Sequence, residues 1–433
     1  MGFGLSEQQK NRLVIVGASV RPWVQSAALA GMHVDAFDFF ADWDCQQLFT
    51  ARQLAANSGG SGLGNSINRI AWFQDLLESS NQSIIDRCGA AVILGGFETR
   101  IEQVQRLANQ MVVLGTSPFH LSRLQNQLRV FSFLQRSGFA VPPTRQSLER
   151  HHLPDRWLRK TFGGSGGLGV RLAKASDVDI VEPDVCFQSR VDGANLSAVF
   201  VSTCEDNCTR TTLLGITQQM VGDDQMGADE FQYCGSLGPV RGSKETRQVI
   251  LSLGNCLAKE FGIVGLWGTD FIATEQSVVP VDINPRPTAS MELFESLLRR
   301  EAPIQSCDSV IRSMLDLHVR ACRGQLSREQ FERLDSISPG AGELMEGKAI
   351  LFRRAKQPLR ITDHLFGQLK TMFNVEFFGS THEGASIADV PNPGQLIRVG
   401  HPIMTLRVRT QRDQVLIKLR EQAELVLGLF EVG

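Results

Sequence analysis

The stretch Gly265-Leu-Trp-Gly-Thr-Asp-Phe-Ile-Ala-Thr-Glu-Gln-Ser-Val-Val-Pro-Val-Asp-Ile-Asn-Pro-Arg-Pro287 alternates apolar and polar residues on either side of the polar triplet Glu275-Gln276-Ser277. That pattern reads as a β-hairpin. A turn centred near Gln276 sets Asp270 opposite Asp282, and Asn284, two residues on, points to the same side. Opposed carboxylates at cross-strand distance repel unless something neutralises them. Two aspartates and an asparagine suit a hard divalent ion such as Mg²⁺, which takes one or two protein carboxylates and completes its shell with phosphate oxygens and water. A solvated hairpin is the plain alternative, and Arg286 just beyond the trio weighs against it.

Upstream, Trp157-Leu-Arg-Lys-Thr161 reads as a strand, Phe162-Gly-Gly-Ser-Gly-Gly-Leu-Gly169 as a loop and Val170-Arg-Leu-Ala173 as a second strand. Glycines let the backbone turn successive N–H groups toward an anion, and Lys160 adds a point charge for the same phosphates. Gly164 to Gly169 also fits G-x-G-x-x-G, but a dinucleotide site needs a helix after the glycines, where this chain has strand character. A Walker loop fails because Lys160 precedes the glycines. A protein kinase fails for want of its catalytic-loop and Asp-Phe-Gly elements.

At 433 residues the chain has room for several domains, and 42% hydrophobic with 21% charged residues is ordinary globular composition. A net charge of −2 gives no electrostatic case for nucleic acid or an anionic membrane as partner. No run of about 18 apolar residues suggests a span, and no apolar leader opens the chain, so a cytoplasmic protein is expected. The nine cysteines show no metal-type spacing and read as reduced thiols.

Arg12 to Gly17, His33 to Asp38, Ala90 to Gly96 and Met111 to Gly115 read as strands, with helices over 21–30 and around 101–109. They predict a small doubly wound α/β domain over 1–118. Loops after its strand ends make Ser19, Arg21 and Glu98 candidate substrate contacts. Ser58 to Asn65 is a second glycine-rich loop, ahead of a helix over 67–77. A single helix over 121–138 leads to the strand carrying Lys160. Runs beginning at Val185, Ala198 and Thr211 read as successive antiparallel strands, and 245–261 as an amphipathic helix. A helix-rich piece to about 333, a β-rich module and a terminal helix over 411–430 complete the chain. The domains expected are 1–118, 119–315 (with a glycine-loop part to 184 and a hairpin part from 185) and 316–433.

The lysine before a glycine loop, then Gln188-Ser-Arg-Val-Asp-Gly193 and Ser197-Ala-Val-Phe-Val, then Asp-Phe-Ile with Asp-Ile-Asn-Pro-Arg, resemble in order and spacing the ATP-grasp superfamily over residues 120–300. Gly17-Ala-Ser-Val-Arg21, Asp42-Trp-Asp44 and Asn284-Pro-Arg-Pro-Thr-Ala-Ser-Met-Glu292 are most like the bacterial ATP-grasp carboligase-like proteins related to biotin carboxylase and associated with tetrahydromethanopterin-dependent one-carbon metabolism. The resemblance implies an α/β chain, α+β in its centre, with a half-Rossmann domain before an ATP-grasp domain and a small β-rich C-terminal module. It implies that Lys160 and Gly163, Gly164, Ser165, Gly166 and Gly167 hold ATP phosphates, and that Gln188, Ser189, Arg190 and Val191 form the adenine hinge. Asp270, Asp282 and Asn284 would hold one or two Mg²⁺ ions, with Mn²⁺ an admissible substitute, and Arg286 would stand near the transferring phosphoryl group.

Members typically phosphorylate a carboxylate and let an amine or thiol attack. An ADP-forming carboxylate–amine ligase acting on small molecules is therefore expected, with a homodimer compatible. A carboxylase or phosphotransferase on the same site, and an ATP-binding regulatory protein without turnover, are the alternatives. Two departures bear on the last: Asp282 stands where the family usually has Glu, and Asn126-Gln127 where many members have Asp-Lys.

Overall fold

A computed structural model describes residues 12–48, 85–86, 88–152, 154–205, 208–301, 310–336, 344–375 and 383–431. The glycine stretch 58–65, the helix expected over 67–77 and Cys307 lie outside them. Strands β1 (Arg12–Gly17), β2 (His33–Asp38), β3 (Ala90–Ile93) and β4 (Val112–Leu114) form a parallel sheet in the order β2-β1-β3-β4. Helix α1 (Arg21–Ala30) connects β1 to β2 and stops at Gly31, which takes the left-handed φ of 68° that a β-carbon disfavours. The expected α/β opening is present.

A smaller sheet follows, built from β5 (Thr144–Arg145), β6 (Trp157–Thr161), β7 (Val170–Leu172) and β8 (Val185–Ser189) in the order β5-β8-β6-β7. Its core among the described residues is Leu148, Trp157, Ala173, Val185 and Phe187. The run at Val185 therefore pairs with the lysine strand, Lys160 standing opposite Cys186, rather than with the run at Ala198 as its sequence position suggests.

Strands β9 (Ala194–Glu205), β10 (Cys208–Val221), β11 (Tyr233–Val240), β12 (Gly265–Ala273), β13 (Val278–Asn284) and β14 (Met345–Phe352) belong to one large sheet. After the small pair β15 (Leu359–Arg360) and β18 (Leu396–Ile397), its remaining members are β16 (Asn374–Val375), β17 (Gly384–Ala388) and β19 (Pro402–Thr410). The order of its nine strands is β13-β12-β9-β10-β11-β14-β19-β17-β16. The C-terminal strands thus continue the central sheet through β11 and β14.

The helix over Lys244–Phe261 covers one face of this sheet, and Trp267 and Phe271 of β12 pack beneath it with Ile250, Leu253 and Leu257. Gly254 allows that approach, since a β-carbon there would run into the Phe200 ring. Burying those large side chains, each worth roughly 1.5–3 kcal/mol, fixes which face of β12 turns inward. Asp270 is left on the opposite face.

The helix expected over 121–138 is two helices, Pro118–Gln125 and Gln127–Arg136. Asn126 breaks the run by adopting an extended backbone and accepting the Arg129 N–H, as an N-cap does.

Candidate functional site

The hairpin forms as expected. Asp270 faces Asp282 across β12 and β13, Gly268 faces Asn284, and Asn284 Nδ2 donates to Asp270 Oδ2 at 3.2 Å. A bulge just beyond the aspartate pair puts Phe271 opposite Pro280, a residue without an N–H for the ladder. Gln219 from β10 donates to Asp270 Oδ1 at 2.9 Å, and Gln127 donates to Asp282 Oδ1 at 3.2 Å. Burial, then the neighbouring Asp282 charge, pushes the Asp270 carboxyl up to about 6 against the pull of its hydrogen bonds and Arg286. Burial also raises Asp282, with Lys160 the largest opposing influence. Among the described residues neither aspartate forms an ion pair.

Lys160 Nζ donates to Gln188 Oε1 at 3.3 Å and to the Val281 carbonyl at 2.7 Å, which ties the small sheet to the hairpin. The glycine loop folds over the gap. Tyr233 N donates to the Gly166 carbonyl at 3.0 Å, and Arg286 Nη2 donates to Ser165 Oγ at 3.0 Å. Gly167, at a φ of 79°, lies so near the Phe231 carbonyl that any β-carbon would overlap it. Between flap and hairpin lies a cleft of about 410 Å³, lined by Lys160, the flap residues Gly164 to Gly167, Gln188 to Gly193, Asp270, Asp282, Asn284 and Arg286. The Nε2 of Gln188, a donor beside the expected hinge, is buried without a partner among the described residues. Such an orphan costs about 1–3 kcal/mol and is a point at which a bound ring nitrogen would be welcome.

The substrate-side candidates separate. Glu98 pairs with Arg286, and its second oxygen accepts the Gly96 N–H at 2.8 Å, so it joins the cleft through Arg286. Ser19 donates to Asp389 at 3.3 Å. Arg21 has no exposed surface and gives its donors to Asp389 at 2.7 Å, Glu292 at 2.7 Å and Gln25 at 2.9 Å. Sequence position alone placed both at a substrate mouth; tertiary contacts spend them on joining the first domain to the C-terminal strands.

Residues that sequence reading missed are Gln219, Gln127 in its contact with Asp282, and the Phe231–Tyr233 seat of the flap. Only the length of the polar-studded β10 could have drawn attention to Gln219. Nothing local marks the other two.

Two carboxylates and a carboxamide, all oxygen donors, fit a hard cation once Asn284 turns its oxygen toward Asp270. In the present arrangement that oxygen lies 3.5 Å from Arg286 Nη2. Among the described residues no group of three or more His, Cys, Asp or Glu could hold a metal, so the hairpin pair and its amide would rely on ligand oxygens for the remaining positions.

Residues 124–290 match the family model of the ATP-grasp domain. An uncharacterised protein of Methanocaldococcus jannaschii is 21% identical over 305 residues, covering 66% of this chain and 70% of that one. The fold is shared with N5-carboxyaminoimidazole ribonucleotide synthetase from Thermotoga maritima, at a TM-score of 0.59 and 14% identity over 96% of this chain and 98% of that one. It is shared with the biotin carboxylase domain of Hydrogenobacter thermophilus 2-oxoglutarate carboxylase, in complex with MgADP and bicarbonate, at 0.66 and 13% over 96% and 90%. An L-amino acid ligase from Bacillus licheniformis gives 0.64 and 14% over 97% and 98%. Among the described residues no helix is long and apolar enough to cross a membrane.

Proposed function

With residues 124–290 an ATP-grasp domain, we propose that the chain is an ATP- and Mg²⁺-dependent ligase joining a small carboxylate to an amine through an acyl phosphate. One observation carries this reading: Lys160, the glycine flap and the Asp270, Asp282, Asn284 trio, far apart in sequence, line a single cleft with Arg286 at its end. The synthetase, the biotin carboxylase domain and the L-amino acid ligase that share the fold support the choice of chemistry.

A carboxylate is a poor electrophile at neutral pH. Its oxygen attacks the γ-phosphorus, the bond to the bridging oxygen breaks, and ADP leaves. An amine lone pair then attacks the acyl carbon, the bond to the phosphate oxygen breaks, inorganic phosphate departs and the amine gives up a proton. Lys160 spreads the charge that builds on the phosphoryl oxygens, and backbone N–H groups of Gly164 to Gly167 hold the phosphates. Arg286, braced by Glu98, orients the acid. The flap, tied down at Tyr233 and Arg286, keeps water from the acyl phosphate. Mg²⁺ on Asp270, Asp282 and Asn284 would neutralise phosphate charge.

Purified protein is incubated with ATP, Mg²⁺ and pools of acids and amines, including acids of one-carbon cofactor assembly, the setting to which the subgroup resemblance points. ADP and phosphate released only when both pools are present is the expected result. ADP with a phosphorylated product would instead mark a phosphotransferase, and bound ATP without ADP in any pool a regulatory protein. A second reading, suggested by the bicarbonate in the Hydrogenobacter complex, makes bicarbonate the acid; ADP release dependent on bicarbonate is its signature.

A further inference from the structure

Behind Arg286, on the side away from the cleft, is a second and smaller cavity of about 90 Å³. Ile93 and Val113 from β3 and β4, Val104, and Leu121, Leu124 and Phe131 from the two helices after β4 are among the apolar residues that line it. Gln127, Gly164, Asp282, Asn284 and Arg286 line both cavities, so the two meet at the guanidinium. Gly95 lies against it: a β-carbon there would stand 3.2 Å from the Arg286 Cζ, closer than ordinary contact.

The depth of this cavity offers a charged guest nothing. His318 at its back is engaged on both nitrogens, accepting the Leu266 N–H at 2.9 Å and lying 3.2 Å from the Leu114 carbonyl, and burial lowers its imidazolium to about 4. Thr116 carries a buried hydroxyl without a partner among the described residues. A water molecule's share of liquid is about 30 Å³, so the volume suits roughly three or four carbon atoms.

Resting on the ligase reading, the geometry points to a side-chain subsite: the acid partner carries a short aliphatic group of three or four carbons, which enters this cavity while its carboxylate lies against Arg286. The subsite also bears on the two readings above, since bicarbonate has no side chain to fill it. Flap residues Gly163 and Gly164 share its wall, so an acid seated there completes the surface on which the flap closes.

The test uses the full chain with ATP, Mg²⁺ and hydroxylamine in place of the unknown amine. Its nitrogen attacks the acyl phosphate, phosphate leaves, and a hydroxamate forms. Acetate, propionate, butyrate, 3-methylbutyrate, 4-methylpentanoate, octanoate, succinate and bicarbonate are compared by ADP release and, for the carboxylic acids, by hydroxamate. Each methylene that fits an apolar pocket is worth roughly tenfold or more. The expected profile rises at least about tenfold in kcat/KM from acetate to butyrate and 3-methylbutyrate and falls for octanoate and succinate.

Ile93→Phe, which fills the cavity, shifts the optimum toward acetate, and Leu121→Ala, which enlarges it, shifts the optimum toward longer chains. An unchanged KM for ATP certifies the fold of each variant. An acid preference that both variants leave unmoved, or a preference for succinate or bicarbonate, overturns the subsite and leaves the ligase standing. No ADP release with any acid or with bicarbonate overturns both.

Discussion

Two of the buried charge clusters among the described residues are resolved in opposite ways. Around Glu292, acids and bases are matched at short range: Arg21 and Lys348 each approach it to 2.7 Å and Arg407 to 2.9 Å, while Arg407 also reaches Glu346 at 3.0 Å. Burial alone would raise the Glu292 carboxyl, but Arg21, Lys348 and Arg407 hold it well below the usual range. At the hairpin, Asp270 and Asp282 face one another with amide partners and no ion pair among the described residues. Both of their carboxyls are raised. In the first cluster, Glu292 is compensated by three cations drawn from segments far apart in the sequence. The second is short of positive charge, as a site that takes its cation with the substrate should be.

Breaking the two clusters should therefore have different signatures. The largest effect is expected from Asp270→Asn. Turnover should fall about a thousandfold, comparable to the loss of a key electrostatic group in other enzymes, while the nucleotide-free protein becomes more stable at neutral pH. A carboxyl raised from 3.8 to about 6 weakens the folded state as pH climbs through that interval, by a penalty on the order of 3 kcal/mol at about 1.4 kcal/mol per unit. Steady-state kinetics and thermal melts at pH 7.5 read the two halves. A drop in Tm would contradict the comparison.

Glu292→Gln should do the reverse, costing roughly 3–5 kcal/mol of stability, as breaking a buried pair does. Chemical denaturation compared with wild type measures it, and an unchanged midpoint would mean the network is not structural. Next comes Lys160→Met, expected to weaken ATP binding about 10- to 100-fold (~1.4–2.7 kcal/mol) through the loss of a charge-assisted phosphate contact. Isothermal titration should show the loss in binding enthalpy as well as affinity.

Mg²⁺ binding, followed by titration between pH 5 and 8, should be flat above about 6 and weaken roughly tenfold per unit below it, because the ligand is the ionised carboxylate. The inflection comes from the Asp270 value near 6, and a metal affinity independent of pH through that window would remove Asp270 from the site. The smallest change is expected for Gln127→Lys, which brings a cation to the Asp282 oxygen that Gln127 now contacts at 3.2 Å. ATP affinity should rise less than tenfold, and Asp282 should titrate lower. Carboxylate NMR shifts would register the second effect even if the first is too small to resolve.

Much of the site was legible before any fold was known. Strand alternation and a polar turn placed Asp270 opposite Asp282, and the strands pair so, although a bulge shifts the register between that pair and the turn. The lysine strand, the glycine loop and the strand after it also stand where composition put them. Other features needed the fold. Asn126 caps a new helix where apolar periodicity ran on unbroken, because a side-chain acceptor for a free N–H outweighed the pattern. The Val185 strand joined the lysine strand rather than its sequence neighbour, since pairing partners are set by packing. Ser19 and Arg21 sat at the expected strand end, yet Asp389, some 370 residues away, claimed both.

What the sequence by itself determined are the short-range features, whose cause lies within a few residues: alternation that selects a face, glycines that free a loop, two aspartates held opposite by one turn. Which of these pieces share a cleft, whether a buried charge finds its counterion, and what volume is left behind Arg286 were decided only by tertiary structure. Those outcomes depend on contacts between segments hundreds of residues apart, and no local pattern encodes the distance between them.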